Sequence, residues 1–88
     1  MKLKYTFELV DMGDEIIAVP VDDSAAELKG VIKVNKAAGE IMELLENDTT
    51  PEAVAEALAA KYDNSREEMA LIVETAIKNL REMGVLEE

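Results

Sequence analysis

Three observations predict an α+β domain, winged helix-turn-helix-like, with a three-stranded antiparallel sheet followed by three helices. The stretch KLKYTFEL, residues 2–9, alternates polar and apolar side chains, the period of a half-buried strand. At Asn35 the period changes, and Ala38, Ile41, Met42 and Leu45 recur at helical spacing. Two further segments, beginning at Thr50 and Ser65, open on capping residues and keep the helical period.

The first strand places Leu3, Tyr5, Phe7 and Leu9 on one face and Lys2, Lys4, Thr6 and Glu8 on the other. Asp11, Met12, Gly13 and Asp14 carry turn chemistry, and EIIAV follows, so the first two strands read as a hairpin. Pro20 has no N–H to give a ladder and should close the second strand or lie on its open side. Residues 22–30, DDSAAELKG, form a polar connection ending at Gly30. The third strand is short: Val31, Ile32, Lys33 and Val34, largely β-branched.

Asn35 ends that strand and suits a helix N-cap, because its side-chain oxygen can accept from the free N–H groups of a first turn. Asn47, Asp48 and Thr49 break the first helix. Thr50, Pro51 and Glu52 start the second with a cap, a proline at the first helical position and an acid at the positive helix end. Val54, Ala55, Leu58, Ala59 and Tyr62 make its apolar stripe. In the third helix Ser65 and Glu68 have capping-box spacing. Met69, Ile72, Val73, Ala76, Ile77, Leu80 and Met83 form a wide apolar face, and Leu71 lies roughly opposite it at about 100° per residue. Gly84 stands where a helix end favours positive φ.

With 88 residues the chain suffices for one domain, 1–88, and its 49% hydrophobic content supports a core. No apolar run is long enough to span a membrane, and the N-terminal residues lack a signal peptide's apolar region. A cytoplasmic protein without a membrane partner is therefore expected. Without cysteine or histidine, disulfides, thiolate metal sites and the commonest general base are excluded. Gly30 and Gly39 stand isolated and form no phosphate-binding loop, and the acidic pairs Asp22-Asp23 and Glu67-Glu68 lack calcium-loop spacing. No cofactor and no enzymatic activity are expected. Tyr5, Phe7 and Tyr62 each fall on a predicted apolar face and are assigned to the core.

The net charge of −11 repels phosphate backbones and attracts a basic partner. A winged-helix outline raises DNA binding, but the third helix sets Arg66, Lys78 and Arg81 against Glu67, Glu68, Glu74 and Glu82. It is net negative where phosphate contacts need cations, so no nucleic-acid partner is expected. An acyl-carrier protein is also small and acidic, yet Asp23-Ser24-Ala25 poorly matches its Asp-Ser-Leu attachment site.

The junction VNKAAGEIMELL resembles the "LN…G..I…LL" segment of the pyrroloquinoline quinone biosynthesis protein D family. The resemblance continues through Thr50-Pro51-Glu52, Leu58 and Tyr62. It ends with Val73, Ile77, Leu80, Gly84, Val85 and Leu86 in a "V…L..L…GLL" pattern, and so covers essentially the whole chain. Met42 replaces a frequent tryptophan and Ala76 a frequently larger residue, two departures that bear on the shape of the binding groove.

The resemblance implies a RiPP recognition element, a non-catalytic domain that binds the leader of a ribosomally made precursor peptide. It would present that peptide to a modifying enzyme, frequently a radical-SAM maturase. The leader would add as a strand to Val31, Ile32, Lys33 and Val34, with apolar side chains beside Leu71, Ile72, Thr75 and Asn79. A sheet edge suits this, since its unpaired N–H and C=O groups can be taken up by a peptide. The alternative is a transcription-related winged-helix domain used for protein–protein contact.

Overall fold

The computed structural model describes residues 1–21 and 30–88; most of the polar connection, including Asp22-Asp23 and Asp23-Ser24-Ala25, lies outside them. The elements follow in the order β1 (Lys2–Leu3), β2 (Phe7–Asp11), β3 (Glu15–Pro20), β4 (Ile32–Asn35), α1 (Lys36–Leu44), α2 (Pro51–Lys61), α3 (Arg66–Glu82) and β5 (Leu86–Glu87). The antiparallel sheet β2-β3-β4 packs chiefly against α1, while α2 and α3 pack on each other and α3 on α1, which gives the predicted α+β architecture.

The hairpin forms where turn chemistry puts it. Gly13 adopts φ 101°, as the first central position of a primed turn requires, and its N–H donates to Asp11 Oδ1 at 2.8 Å. The strand expected over residues 2–9 is divided. β1 pairs with β5, Lys2 opposite Glu87, while β2 pairs with β3. Leu3 and Phe7 are both buried, so the side-chain alternation holds across the break. Only the ladder partner changes, and alternation reports burial, not partners. Lys4 N–H donates to Val85 C=O at 2.7 Å and Leu3 N–H to Leu45 C=O at 2.8 Å. β5 is two residues long, too short for a period, and the sequence reading did not include it.

All three helix starts are capped as expected. Asn35 accepts from Ala38 N–H at 2.8 Å, Thr50 from Ala53 N–H at 3.1 Å, and Ser65 exchanges both capping-box bonds with Glu68. Ile41, Met42, Leu45, Val54, Val73, Leu80 and Val85 are the most deeply buried large side chains. Gly84 takes φ 75° after α3.

Three apolar assignments differ. Ile72 and Met83 are exposed at 37% and 46%, on the flanks of the α3 stripe. Tyr62 is 38% exposed because it is the C-cap of α2 with extended backbone, outside the helical rotation that placed it in the stripe. Its hydroxyl donates to Glu40, which also accepts from Lys61 Nζ at 2.8 Å, tying α1 to the end of α2. These bonds, the Lys61 one first and Tyr62 next, hold the Glu40 carboxyl below its ordinary range.

A carboxyl lowered by folding contributes stability above its unfolded value, near 4.3, and loses it as pH falls through the folded value. Glu40→Gln should therefore unfold at lower urea than the parent at neutral pH. The two midpoints should converge below about pH 4. Equal midpoints at neutral pH would mean that the tie contributes nothing.

Candidate functional site

The ladder decides which backbone groups β4 offers. Met12 N–H donates to Glu15 C=O and Val21 N–H to Thr6 C=O, which mark two hydrogen-bonded pairs in the β2–β3 register. Such pairs alternate with non-bonded ones, so Ile17 and Val19 bond toward β2 while Ile16 and Ala18 turn toward β4. Ile16 opposes Val34 and Ala18 opposes Ile32. The N–H and C=O groups of Ile32 and Val34 are thus committed to β3. Those of Lys33, with the N–H of Asn35, point away from it. β4 is the last strand of the sheet, so this side is open among the described residues. Pro20 would oppose Gly30 by continuation of the register, and pairing starts only at Ile32. A proline there supplies no N–H toward β4.

Beside this edge lies a groove of about 450 Å³ lined by Asn35, Ala38, Glu68, Leu71, Ile72, Thr75, Ala76 and Asn79. Leu71, Ile72, Thr75 and Asn79, all four α3 residues singled out in the sequence, are brought together there. Of β4 only Asn35 lines it. Ile32 and Val34 pack toward the core, whereas Lys33 is exposed, and Val31, just before the strand, is 53% exposed.

Asn35, which the sequence marked only as a helix cap, and Ala38, Glu68 and Ala76 were not among the candidates. A signal existed: Glu68, Leu71, Ile72, Thr75, Ala76 and Asn79 follow one helical stripe, and extending the four candidates by the same spacing reaches the other two. Of the two departures from the family pattern, Met42 is fully buried in the core, and Ala76 opens into the groove.

The groove is apolar along Leu71 and Ile72, with polar groups at its borders. Leu71 is 67% exposed, a large apolar side chain presented to water. Thr75 Oγ1 donates to Leu71 C=O at 2.9 Å, so its proton is spent within the helix. Glu68 is held below the usual carboxylate range first by the Ser65 N–H, leaving a fixed negative charge at the margin. Among the described residues no group of His, Cys, Asp or Glu could hold a metal ion, and no helix is long and apolar enough to cross a membrane.

Residues 9–86 match the family described as coenzyme PQQ synthesis protein D (PqqD). This chain belongs to the PqqD family. No curated protein matches its sequence. Among solved structures it is similar to TbiB1 in complex with the TbiA(beta) leader peptide, with TM-score 0.71 and 20% identity. The match covers 99% of this chain and 95% of that one. At that identity the likeness is one of fold, and it extends over nearly the whole molecule.

Proposed function

We propose that this chain is a non-catalytic, cytoplasmic recognition domain. It binds the leader of a ribosomally made precursor peptide and presents it to a modifying enzyme, a radical-SAM maturase being one such partner. The observation that carries this reading is the open edge of β4 running beside an apolar groove under α3. Membership of the PqqD family supports it, and so does the likeness to a protein solved with a leader peptide.

The peptide adds as a strand to β4, exchanging hydrogen bonds with Lys33 and Asn35. Alternate side chains of the peptide enter the groove beside Leu71, Ile72, Thr75 and Asn79. Each hydrogen bond contributes about 0.5–1.5 kcal/mol net, and each buried apolar anchor roughly 1.5–3 kcal/mol. Ordering and association oppose these gains, which sets affinity in the micromolar range, about −8 kcal/mol. Lys or Arg elsewhere in the leader would speed encounter with a chain of net charge −11, more at low salt.

The register selects the probe. Proline in place of Lys33 removes an N–H that faces outward from an edge strand, where proline is tolerated. Proline in place of Ile32 would instead break the β3–β4 ladder. Lys33→Pro should keep the fold, by far-ultraviolet circular dichroism. It should bind the leader about three- to tenfold more weakly than Lys33→Ala, which lacks the same side chain but keeps the N–H; the difference is the worth of one hydrogen bond. Undiminished binding by the folded variant would place the peptide elsewhere.

A further inference from the structure

The same register gives each side of an added strand a different environment. Val10, Ile17 and Lys33 are successive partners across the sheet, on the face turned away from the helices. Ile32 and Val34 occupy the helix-facing side. A peptide residue paired with Lys33 therefore shares its outer face, within the roughly 4.5–5.5 Å Cβ separation at which cross-strand pairs interact. The peptide residues before and after it turn inward, toward the groove.

Lys33 is an exposed cation with no carboxylate partner among the described residues. Lys36, Lys61, Arg66 and Arg81 each hold an acidic side chain, whereas Lys33, like Lys2, Lys4 and Lys78, makes no ion pair among the described residues; of these four, Lys33 alone stands on the open edge of β4. Its partner on β3, Ile17, is apolar. Glu15, two residues from Ile17 on the same outer face, makes no ion pair with Lys33, so a directly opposed carboxylate has its place on the open side of β4, where the proposed peptide lies. The groove margin carries the opposite sign, at Glu68.

We infer that Lys33 selects a leader peptide with an Asp or Glu between two apolar residues, the carboxylate paired with Lys33 on the outer face. This deepens the proposed function and rests on it. Lys33 and Glu68 together fix the register. A slip by one residue moves every peptide side chain to the other face. The carboxylate would then enter the apolar groove near Glu68, and an apolar anchor would be left in water, both unfavourable.

The test is selection of a displayed library of random twelve-residue peptides against the full chain, against Lys33→Glu, and against Lys2→Glu as a control of equal net charge. The parent and the control should enrich apolar–acidic–apolar triplets, with the acid favoured about two- to fivefold over a neutral residue. Lys33→Glu should shift that central preference to Lys or Arg. One enriched peptide is then synthesised in acidic and basic versions and titrated against parent and Lys33→Glu. The matched opposite-charge pairs should bind more tightly than the mismatched ones.

Enrichment of alternating apolar peptides with no charge preference at the centre, or one unchanged in Lys33→Glu, would overturn the role of Lys33 and leave strand addition standing. Peptides that bind without perturbing the Lys33 and Asn35 amide signals would overturn strand addition itself, and this role with it.

Discussion

Alanine at Gly39 should destabilise the domain, although it is the better helix former. A Cβ built there would lie 2.6 Å from Ile16 Cγ1, 3.0 Å from its Cβ and 3.1 Å from its Cγ2. Rotating the Ile16 side chain offers no escape, since its own Cβ is in the way, so α1 must lift from β3. Overpacking of this kind costs about 1–3 kcal/mol, against a helix-propensity gain of at most about 1. A net loss of roughly 1–2 kcal/mol is expected, several degrees of melting temperature for a domain of this size. Urea unfolding should show a lower midpoint with unchanged slope. Equal or greater stability would mean that α1 and β3 separate more easily than their packing implies. Because Ala38 lies next to Gly39 and lines the groove, the same shift should alter peptide binding.

Leucine at Ala76 should abolish most peptide binding while leaving the domain folded. Ala76 is 9% exposed and lines the groove with Ala38, and these small side chains leave the space that a peptide anchor would occupy. The added carbons of leucine would extend into that space from the helix wall. Under the proposed function this displaces one anchor, so affinity should fall tenfold or more, about 1.4 kcal/mol. Unfolding should change by less than the roughly 1–3 kcal/mol that overpacking a closed core costs, since Ala76, though buried, borders the open groove into which the added carbons extend. Calorimetric titration of a leader that binds the parent provides the measurement. Retained affinity would show that the groove under α3 is not where the peptide docks.

Much of this was legible in the residues because local chemistry and tertiary structure agree at them. Asn35, Thr50 and Ser65 cap the helices that their side chains predict, and the period change at Asn35 marks the passage from sheet to helix. The groove residues of α3 follow from helical spacing once one of them is chosen. What escaped depends on partners distant in sequence. Nothing in KLKYTFEL says that Lys2 and Leu3 leave the hairpin for Glu87 and Leu86, because the same side chains are buried either way. Nor does the pattern of Val31, Ile32, Lys33 and Val34 tell which N–H groups face outward. That parity is set by the turn at Gly13 and carried across β3. Tyr62 was misassigned because apolar spacing continues past the residue at which the helix stops.

The pairing of β1 with β5 has a consequence for how the domain can be mounted. Lys2 and Glu87 are cross-strand neighbours, so the chain enters and leaves the fold at a single point. A body held at one point hangs from a longer polypeptide as a pendant, and a host chain can carry it without being stretched apart to accommodate it. The mounting point is in the two-stranded sheet, whereas the open edge of β4 belongs to the other one. A tether attached at the ends therefore uses none of the backbone positions that a captured strand would need, and can set the reach of the pendant without altering its grip.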